Sequence, residues 1–119
     1  MNETEESPAW VAQLGACLGN HHESMLSVAD AMIIELPRLM ARIDEALSNE
    51  NHAEIRRLGH TLKSSLKYVA TSEDVDHATA LELAGKESRI DDARDSANRL
   101  EGIVQEWMTR LRDWLSSQG

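Results

Sequence analysis

Apolar residues recur at intervals of three and four along most of the chain, the spacing that places side chains on one face of an α-helix. The pattern predicts a short helix that begins near Pro8 and stops before Gly19. The longer predicted helices cover about residues 24–47, 52–70, 73–87 and 90–114. Pro37 lies inside the second of these stripes. Because proline removes one backbone hydrogen bond, we expect a kink or a local break near residues 33–37.

Long helices with short connections pack most simply as an antiparallel up-down-up-down four-helix bundle. We therefore predict an all-α fold in which an extra short N-terminal helix covers one end or side of the bundle. No repeat, low-complexity tract or long linker divides the chain, so residues 1–119 are expected to form one domain, with residues 1–7 flexible. The apolar-face residues that we expect in the core include Trp10, Cys17, Trp107 and Trp114.

The chain is acidic, with 21 Asp and Glu residues against 12 Lys and Arg, for a formal net charge of −9. Such a charge repels phosphate, so neither nucleic acid nor a membrane is an expected partner. No apolar run approaches the roughly 20 residues that span a bilayer, and the acidic N-terminus is unlike a signal peptide. The single cysteine excludes an internal disulfide and fits a reducing compartment. We therefore expect a cytoplasmic protein.

One stretch departs from this acidity, because residues 55–72 contain no Asp or Glu. The same stretch holds a third of all the cations: Arg56, Arg57, Lys63 and Lys67. At 100° per residue, His60 lies about 160° from Leu58 and from Leu62, so it points away from the apolar stripe. The pattern thus predicts an exposed imidazole among cations, in the middle of a long helix.

Two interpretations of His60 are open from this spacing. It can be an ordinary surface histidine on a solvated basic face. Alternatively, it can accept a phosphoryl group, because neighbouring cations disfavour the imidazolium form and keep the ring nucleophilic. The same cations would stabilise a phosphoryl group once it had arrived.

Three segments carry a resemblance to a known family. The first is E-L-P-R-L-M-A-R-I-D-E-A-L over Glu35–Leu47, the second is R-L-G-H-T-L-K-S-S over Arg57–Ser65, and the third is A-T-A-L-E over Ala78–Glu82. In these segments the sequence resembles histidine-containing phosphotransfer (HPt) domains, whose central motif reads roughly A-H-x-L-K-G-S-S. The resemblance extends over about residues 25–115.

The resemblance implies a role for each matching residue. His60 would be the phosphoacceptor through Nε2, and Lys63 would screen the phosphoryl charge. Glu82 would accept the Nδ1 proton of His60, which fixes the tautomer and leaves Nε2 free to attack. The competing interpretation of Glu82 is a surface glutamate on a helix. The expected docking surface for a partner contains Arg56, Arg57, Ser64 and Lys67.

The chain also departs from the family pattern. Ser64 stands where the family has a glycine, at a position that needs a small residue because the partner approaches closely. Asp74 and His77 occupy positions that are usually apolar. Either the helix register shifts so that Val75 takes the core position, or this helix packs loosely. These departures leave open a degenerate HPt fold without transfer chemistry.

The resemblance implies an intermediate of a two-component phosphorelay that exchanges a phosphoryl group with aspartates of response-regulator receiver domains. Such a protein has no ATP site and is not an enzyme. It needs no metal or cofactor of its own, since Mg²⁺ is expected on the receiver domain. We expect a monomer, either free-standing or part of a hybrid sensor histidine kinase, which is also a possible partner. The alternatives are a helical module that docks a partner without phosphotransfer and, with less support, a metal-binding bundle.

Overall fold

The computed structural model describes residues 8–118, so the predicted flexibility of residues 1–7 concerns residues outside the described range. All regular structure in this range is helical: α1 Ala9–Cys17, α2 His22–Ser48, α3 His52–Leu66, α4 Ser72–Lys86 and α5 Ile90–Gln118. The four long helices form an antiparallel bundle in which each packs against its two neighbours, and α1 is the extra N-terminal helix. The predicted fold class is therefore confirmed.

Two of the helices, α3 and α4, begin at residues whose side chains cap them. Asn51 accepts a hydrogen bond from the backbone N–H of Glu54 (3.2 Å) and begins α3. The hydroxyl of Thr71 accepts one from the N–H of Asp74 (3.3 Å) and begins α4. Such caps satisfy N–H groups that have no partner inside the helix.

Helix α3 ends earlier than the apolar spacing predicts. It was expected to continue to Ala70, but it stops at Leu66 and the chain turns over the next residues. The amide of Gln13, on α1, donates to the carbonyl oxygens of Lys67 and Ala70, at 3.0 Å each. These bonds satisfy two carbonyl groups of the turn that follows α3, so α1 supports that turn.

The prediction near residues 33–37 is a kink or a local break; helix α2 is continuous from His22 to Ser48, so a break is not present. Proline removes one backbone N–H donor, and its ring crowds the carbonyl group four residues earlier, but these effects need not end a helix that is packed in a core. Leu36, immediately before it, and Leu39, two residues after it, are buried in the bundle. Packing on both sides therefore holds the helix together.

The N-terminal helix is anchored by aromatic contacts. Trp10 meets Trp107 and Trp114 of α5 edge to face, with ring centroids 5.7 Å apart in both pairs. All three side chains are buried, as predicted. The prediction that Cys17 lies in the core is wrong, because Cys17 is exposed. It occupies the last turn of α1, where that helix borders an open groove beside α3.

Two polar residues of α4, Asp74 and His77, stand at usually apolar positions and are half-buried. Val75 packs against the core but is only half-buried, while Ala78 and Leu81 are fully buried. Asp74 accepts a hydrogen bond from the indole Nε1 of Trp107 (3.0 Å) in a partly buried position. The carboxylate thus links α4 to α5 instead of leaving a gap in the core.

We expect Asp74→Ala to destabilise the bundle, because it leaves the indole N–H of Trp107 without its charged acceptor. Hydrogen bonds to charged groups contribute about 1.5–3 kcal/mol, and denaturant unfolding should show a loss in this range. The matched control is Asp76→Ala on the same helix, since Asp76 is exposed and its side chain has no hydrogen bond within residues 8–118. Equal losses in the two variants would mean that the Asp74–Trp107 bond contributes nothing measurable.

Within the part of the chain that the structure describes, no helix is long and apolar enough to cross a membrane.

Candidate functional site

His60 projects from the middle of α3 into solvent. Its side chain is 61% exposed, whereas Leu58 and Leu62 on the same helix are completely buried. The predicted outward orientation is therefore observed. Nδ1 of His60 lies 3.0 Å from Oε2 of Glu82, which reaches it from α4. Within residues 8–118, Nε2 has no hydrogen-bond partner.

Glu82 connects His60 to a lysine. Nζ of Lys63 lies 2.7 Å from Oε1 of Glu82, so the carboxylate is shared between an ammonium group and an imidazole. The side chains of Lys63 and Glu82 are about one-fifth exposed, at 20% and 21%. The structure thus brings together the three residues that the resemblance singled out, as a chain that runs Lys63–Glu82–His60.

This arrangement decides which nitrogen of His60 carries the proton. The contact with Lys63 and the hydrogen bond with His60 hold the pKa of Glu82 below its ordinary value, while partial burial opposes them. The carboxylate is therefore ionised at neutral pH and can only accept hydrogen bonds. Nδ1 of His60 must then be the donor, which leaves the lone pair of the neutral ring on Nε2, the nitrogen without a partner.

The lowered pKa of Glu82 predicts a pH-dependent part of the stability. A carboxyl group whose pKa is lower in the folded protein contributes stability above its unfolded-state pKa, about 4.5 here. That contribution is lost as the pH falls through the lower folded-state pKa. Glu82→Gln should therefore reduce the free energy of unfolding near neutral pH, and the difference from the parent should shrink below about pH 4.5.

Denaturant unfolding between pH 7 and pH 3 checks this prediction. The matched control is Glu101→Gln, because Glu101 is exposed on α5 and has no ion pair within the described residues. It should follow the parent across this range. A difference between Glu82→Gln and the parent that stays constant with pH would contradict the ionised Lys63–Glu82–His60 arrangement.

The predicted docking residues lie on both sides of His60. Arg56 and Arg57 border a shallow depression together with His60 and Glu82. Ser64 and Lys67 border a second, mostly apolar depression on the other side, walled by Cys17 and Tyr68. Ser64 and Lys67 are both exposed. The imidazole thus stands between two depressions, and each of them is bordered by at least one cation.

One cation of this set, Arg57, is already paired with a carboxylate. The guanidinium of Arg57 contacts both carboxylate oxygens of Glu54, with Nε donating to Oε1 at 2.9 Å. Glu54 lies just before the stretch without acids and one helical turn from Arg57, so the spacing contained a signal for this pair. Arg56 is exposed and has no ion pair within residues 8–118. Arg56 and Lys67 are therefore the cations most available to a partner.

Two glycines of the site region were also overlooked. Gly59 lies in the middle of α3 and Gly85 in the last turn of α4, and each has backbone of the facing helix close to its Cα. A glycine in a helix interior is unfavourable unless packing requires it, so the position of Gly59 was a usable signal.

No group of three or more His, Cys, Asp or Glu side chains between residues 8 and 118 is arranged to hold a metal ion.

Comparison with known proteins identifies the family. The family model for the Hpt domain matches residues 27–114, which is most of the chain and contains the whole Lys63–Glu82–His60 arrangement. No curated protein and no solved structure matches. Hpt domains interact with receiver domains and histidine kinases, and they have no ATP-binding kinase activity. With its helical bundle and this match, the chain belongs to the Hpt family of phosphotransfer modules in two-component signalling.

Proposed function

We propose that His60 is the phosphoacceptor and that it exchanges its phosphoryl group with aspartates of receiver domains. The observation that carries this proposal is the exposed imidazole whose Nδ1 is held by Glu82 at 3.0 Å, with Nε2 free. An exposed surface histidine without a function would need no carboxylate from a neighbouring helix to set its tautomer.

The transfer step follows from this geometry. Nε2 of His60 attacks the phosphorus of an aspartyl phosphate; the N–P bond forms while the P–O bond to the aspartate breaks, and the aspartate leaves as a carboxylate. Positive charge develops on the ring as the bond forms. Glu82 offsets this charge through its hydrogen bond with Nδ1–H, which is the form of electrostatic assistance that catalysis favours. The reverse sequence returns the phosphoryl group to a receiver.

The partner receiver domain is expected to supply the metal ion of the transfer. A receiver domain has an acidic pocket, and the Mg²⁺ that neutralises phosphoryl charge in such transfers is expected there. Arg56 and Lys67 are exposed beside His60 and complement an acidic partner. Arg57 contributes less free charge because of Glu54, and the small side chain of Ser64 borders the approach to Nε2.

Transfer from a phosphorylated receiver tests the function. The protein should acquire label within the assay, and the label should be acid-labile and stable in base, as expected for phosphohistidine. A second, unphosphorylated receiver added afterwards should remove it. Binding of the receiver without any label would contradict transfer and favour the alternative, a degenerate Hpt module that only docks. The observation behind that alternative is Ser64, an exposed side chain at the family's glycine position.

We propose that Lys63 stabilises the phosphoryl group on His60. In the unphosphorylated protein its ammonium group is paired with Glu82, and it lies one helical turn from His60, within reach of a phosphoryl group on Nε2. A cation about 4 Å from a charge contributes about 1 kcal/mol in water, so we expect Lys63→Ala to slow transfer about fivefold. The phosphohistidine should also hydrolyse faster.

Transfer kinetics and the lifetime of the purified phosphoprotein measure both effects. Lys86→Ala is the control, because Lys86 is an exposed lysine on α4 that has no ion pair within the described residues. Unchanged transfer and lifetime in Lys63→Ala would show that Lys63 only accompanies Glu82.

A further inference from the structure

The depression beside His60 that holds Arg56 and Arg57 lies mainly on the N-terminal side of the imidazole. On α3 it is bordered by Ala53, Arg56, Arg57 and His60 together with Thr61. Ala53 precedes His60 by about two helical turns, so the two residues lie on the same face of α3, with only a methyl group at the earlier position. The space beside the ring is therefore open, and it is flanked by two arginines.

The orientation of the ring directs a group on Nε2 towards this space. A side chain on a helix points back towards the N-terminus and covers the turn that precedes its own Cα. Except for Thr61, the α3 residues that share the depression with His60 do precede it. Because Glu82 holds Nδ1 at 3.0 Å, Nε2 is the ring nitrogen that faces away from the carboxylate. A phosphoryl group on Nε2 would extend over the depression.

The three cations within one turn of the imidazole differ in what they already bind. The ammonium group of Lys63 lies 2.7 Å from Oε1 of Glu82, and its side chain is 20% exposed. The guanidinium of Arg57 contacts both carboxylate oxygens of Glu54. Arg56 is exposed and has no ion pair within residues 8–118. Pairing with Arg56 therefore breaks no existing ion pair, whereas Lys63 must first leave its carboxylate.

The chemistry of Arg56 suits a phosphoryl group. A guanidinium group is a planar fork of N–H donors that matches two phosphoryl oxygens, and such charge-assisted bonds are the strong ones. Arg56 precedes His60 by one helical turn on the same face, where Cβ atoms are about 5–6 Å apart. The long side chain of arginine can bridge that distance to a group that projects beyond the ring.

We propose that Arg56 binds the phosphoryl group of phosphorylated His60 in this depression. The inference rests on the proposed function of His60 and adds a binding residue to it. It also separates two roles of Arg56. Attraction of an acidic receiver acts only while the receiver is present, whereas a contact with the phosphoryl group persists in the isolated phosphoprotein.

The isolated phosphoprotein tests this contact without a receiver. Phosphoramidate is the phosphoryl donor: its P–N bond breaks as the bond between phosphorus and Nε2 forms, and ammonia leaves. Because this donor also reaches other histidines, the phosphorus NMR signal that is missing from treated His60→Gln is assigned to His60. Titration of that signal measures the pKa of the phosphoryl group, and its decay measures the lifetime of the phosphohistidine.

Arg56→Ala should raise the pKa of the phosphoryl group, because a nearby cation favours the more negative form. The lifetime should shorten about two- to fivefold, the effect of one exposed ion pair. Hydrolysis through a loose transition state moves negative charge from the phosphoryl group to the departing nitrogen, so a cation on the oxygens stabilises the intact bond. Arg56→Lys keeps the charge without the planar fork and should give intermediate values.

Arg112→Ala is the matched control, because Arg112 is an exposed arginine on α5 that has no ion pair within the described residues. It changes the net charge by the same amount and should leave both the pKa and the lifetime at the values of the parent. Parent-like values in Arg56→Ala would overturn the proposal and leave Arg56 a docking residue only. Equal changes in the two variants would also overturn it, since they would reflect net charge instead of a contact.

The choice of donor separates this proposal from the proposed function. If phosphoramidate labels His60 and a phosphorylated receiver does not, exchange with receivers fails, while the pKa and the lifetime in Arg56→Ala still decide the role of Arg56. If neither donor labels His60 in the folded parent, no phosphoryl group is present for Arg56 to bind, and both proposals are wrong.

Discussion

Replacing His60 with glutamine is expected to abolish phosphoryl uptake from a phosphorylated receiver while leaving the bundle folded. The ring is 61% exposed, and exposed substitutions generally change stability by less than about 0.5 kcal/mol. The Lys63–Glu82 ion pair persists without the imidazole. Labelling should therefore fall to background while the denaturant midpoint stays close to that of the parent.

His77→Gln is the matched control for this experiment. His77 is a half-buried histidine on α4 and borders a different surface, with Glu73 and Arg99. Its replacement should leave labelling at the level of the parent. Label retained in His60→Gln and lost in His77→Gln would move the acceptor to His77, and the proposed role of the Lys63–Glu82–His60 arrangement would be wrong.

Ser64→Leu is expected to prevent receiver docking by steric hindrance. Ser64 lies one helical turn beyond His60 on the same exposed face, so a larger side chain intrudes on the approach to Nε2. The position points away from the core, and the melting temperature should change little. Receiver binding should weaken at least tenfold, equivalent to about 1.4 kcal/mol or more, and transfer should fall with it.

Two further variants are controls for the effect of Ser64→Leu. Ser27→Leu places the same side chain on an exposed position of α2 and should bind the receiver as the parent does. Ser64→Gly restores the residue of the family pattern and should transfer as fast or faster, although glycine costs about 1 kcal/mol in a helix interior. If Ser64→Leu bound and transferred normally, the receiver would dock elsewhere. If only Ser64→Gly transferred, the parent would be a degenerate member.

The helices and the bundle were predictable because their signal is local. Spacings of three and four identify a buried face regardless of what covers it, and Leu58 and Leu62 are buried as that spacing requires. The outward orientation of His60 follows from the same arithmetic. The boundaries were less predictable where a distant residue intervenes: α3 stops at Leu66 where Gln13, from another helix, bonds to the turn that follows.

The residues that make up the site could not be identified from the spacing of residues alone. The resemblance to Hpt domains named Glu82 as a partner of His60, and in the structure its carboxylate lies 3.0 Å from Nδ1 of that residue. Periodicity within one helix carries no information about which residue of α4 faces His60. The pairing of Lys63 with Glu82 crosses between helices in the same way, so no pattern along α3 could have predicted it.

Cys17 and Pro37 show how context overrides a local rule. Cys17 continues an apolar stripe, yet α1 ends beside an open groove and the thiol is exposed. Pro37 should interrupt a helix, yet buried neighbours keep α2 continuous. In both cases the deciding factor is what the rest of the bundle places against the residue.

The central claim is that phosphate resides on Nε2 of His60, and NMR of the phosphorylated protein tests it most directly. After labelling by a receiver, phosphorus–nitrogen correlation should place the phosphoryl group on Nε2 of His60, with Nδ1 still hydrogen-bonded to Glu82. A phosphoryl group on Nδ1, on another residue, or on no residue of a protein that binds the receiver would contradict the account.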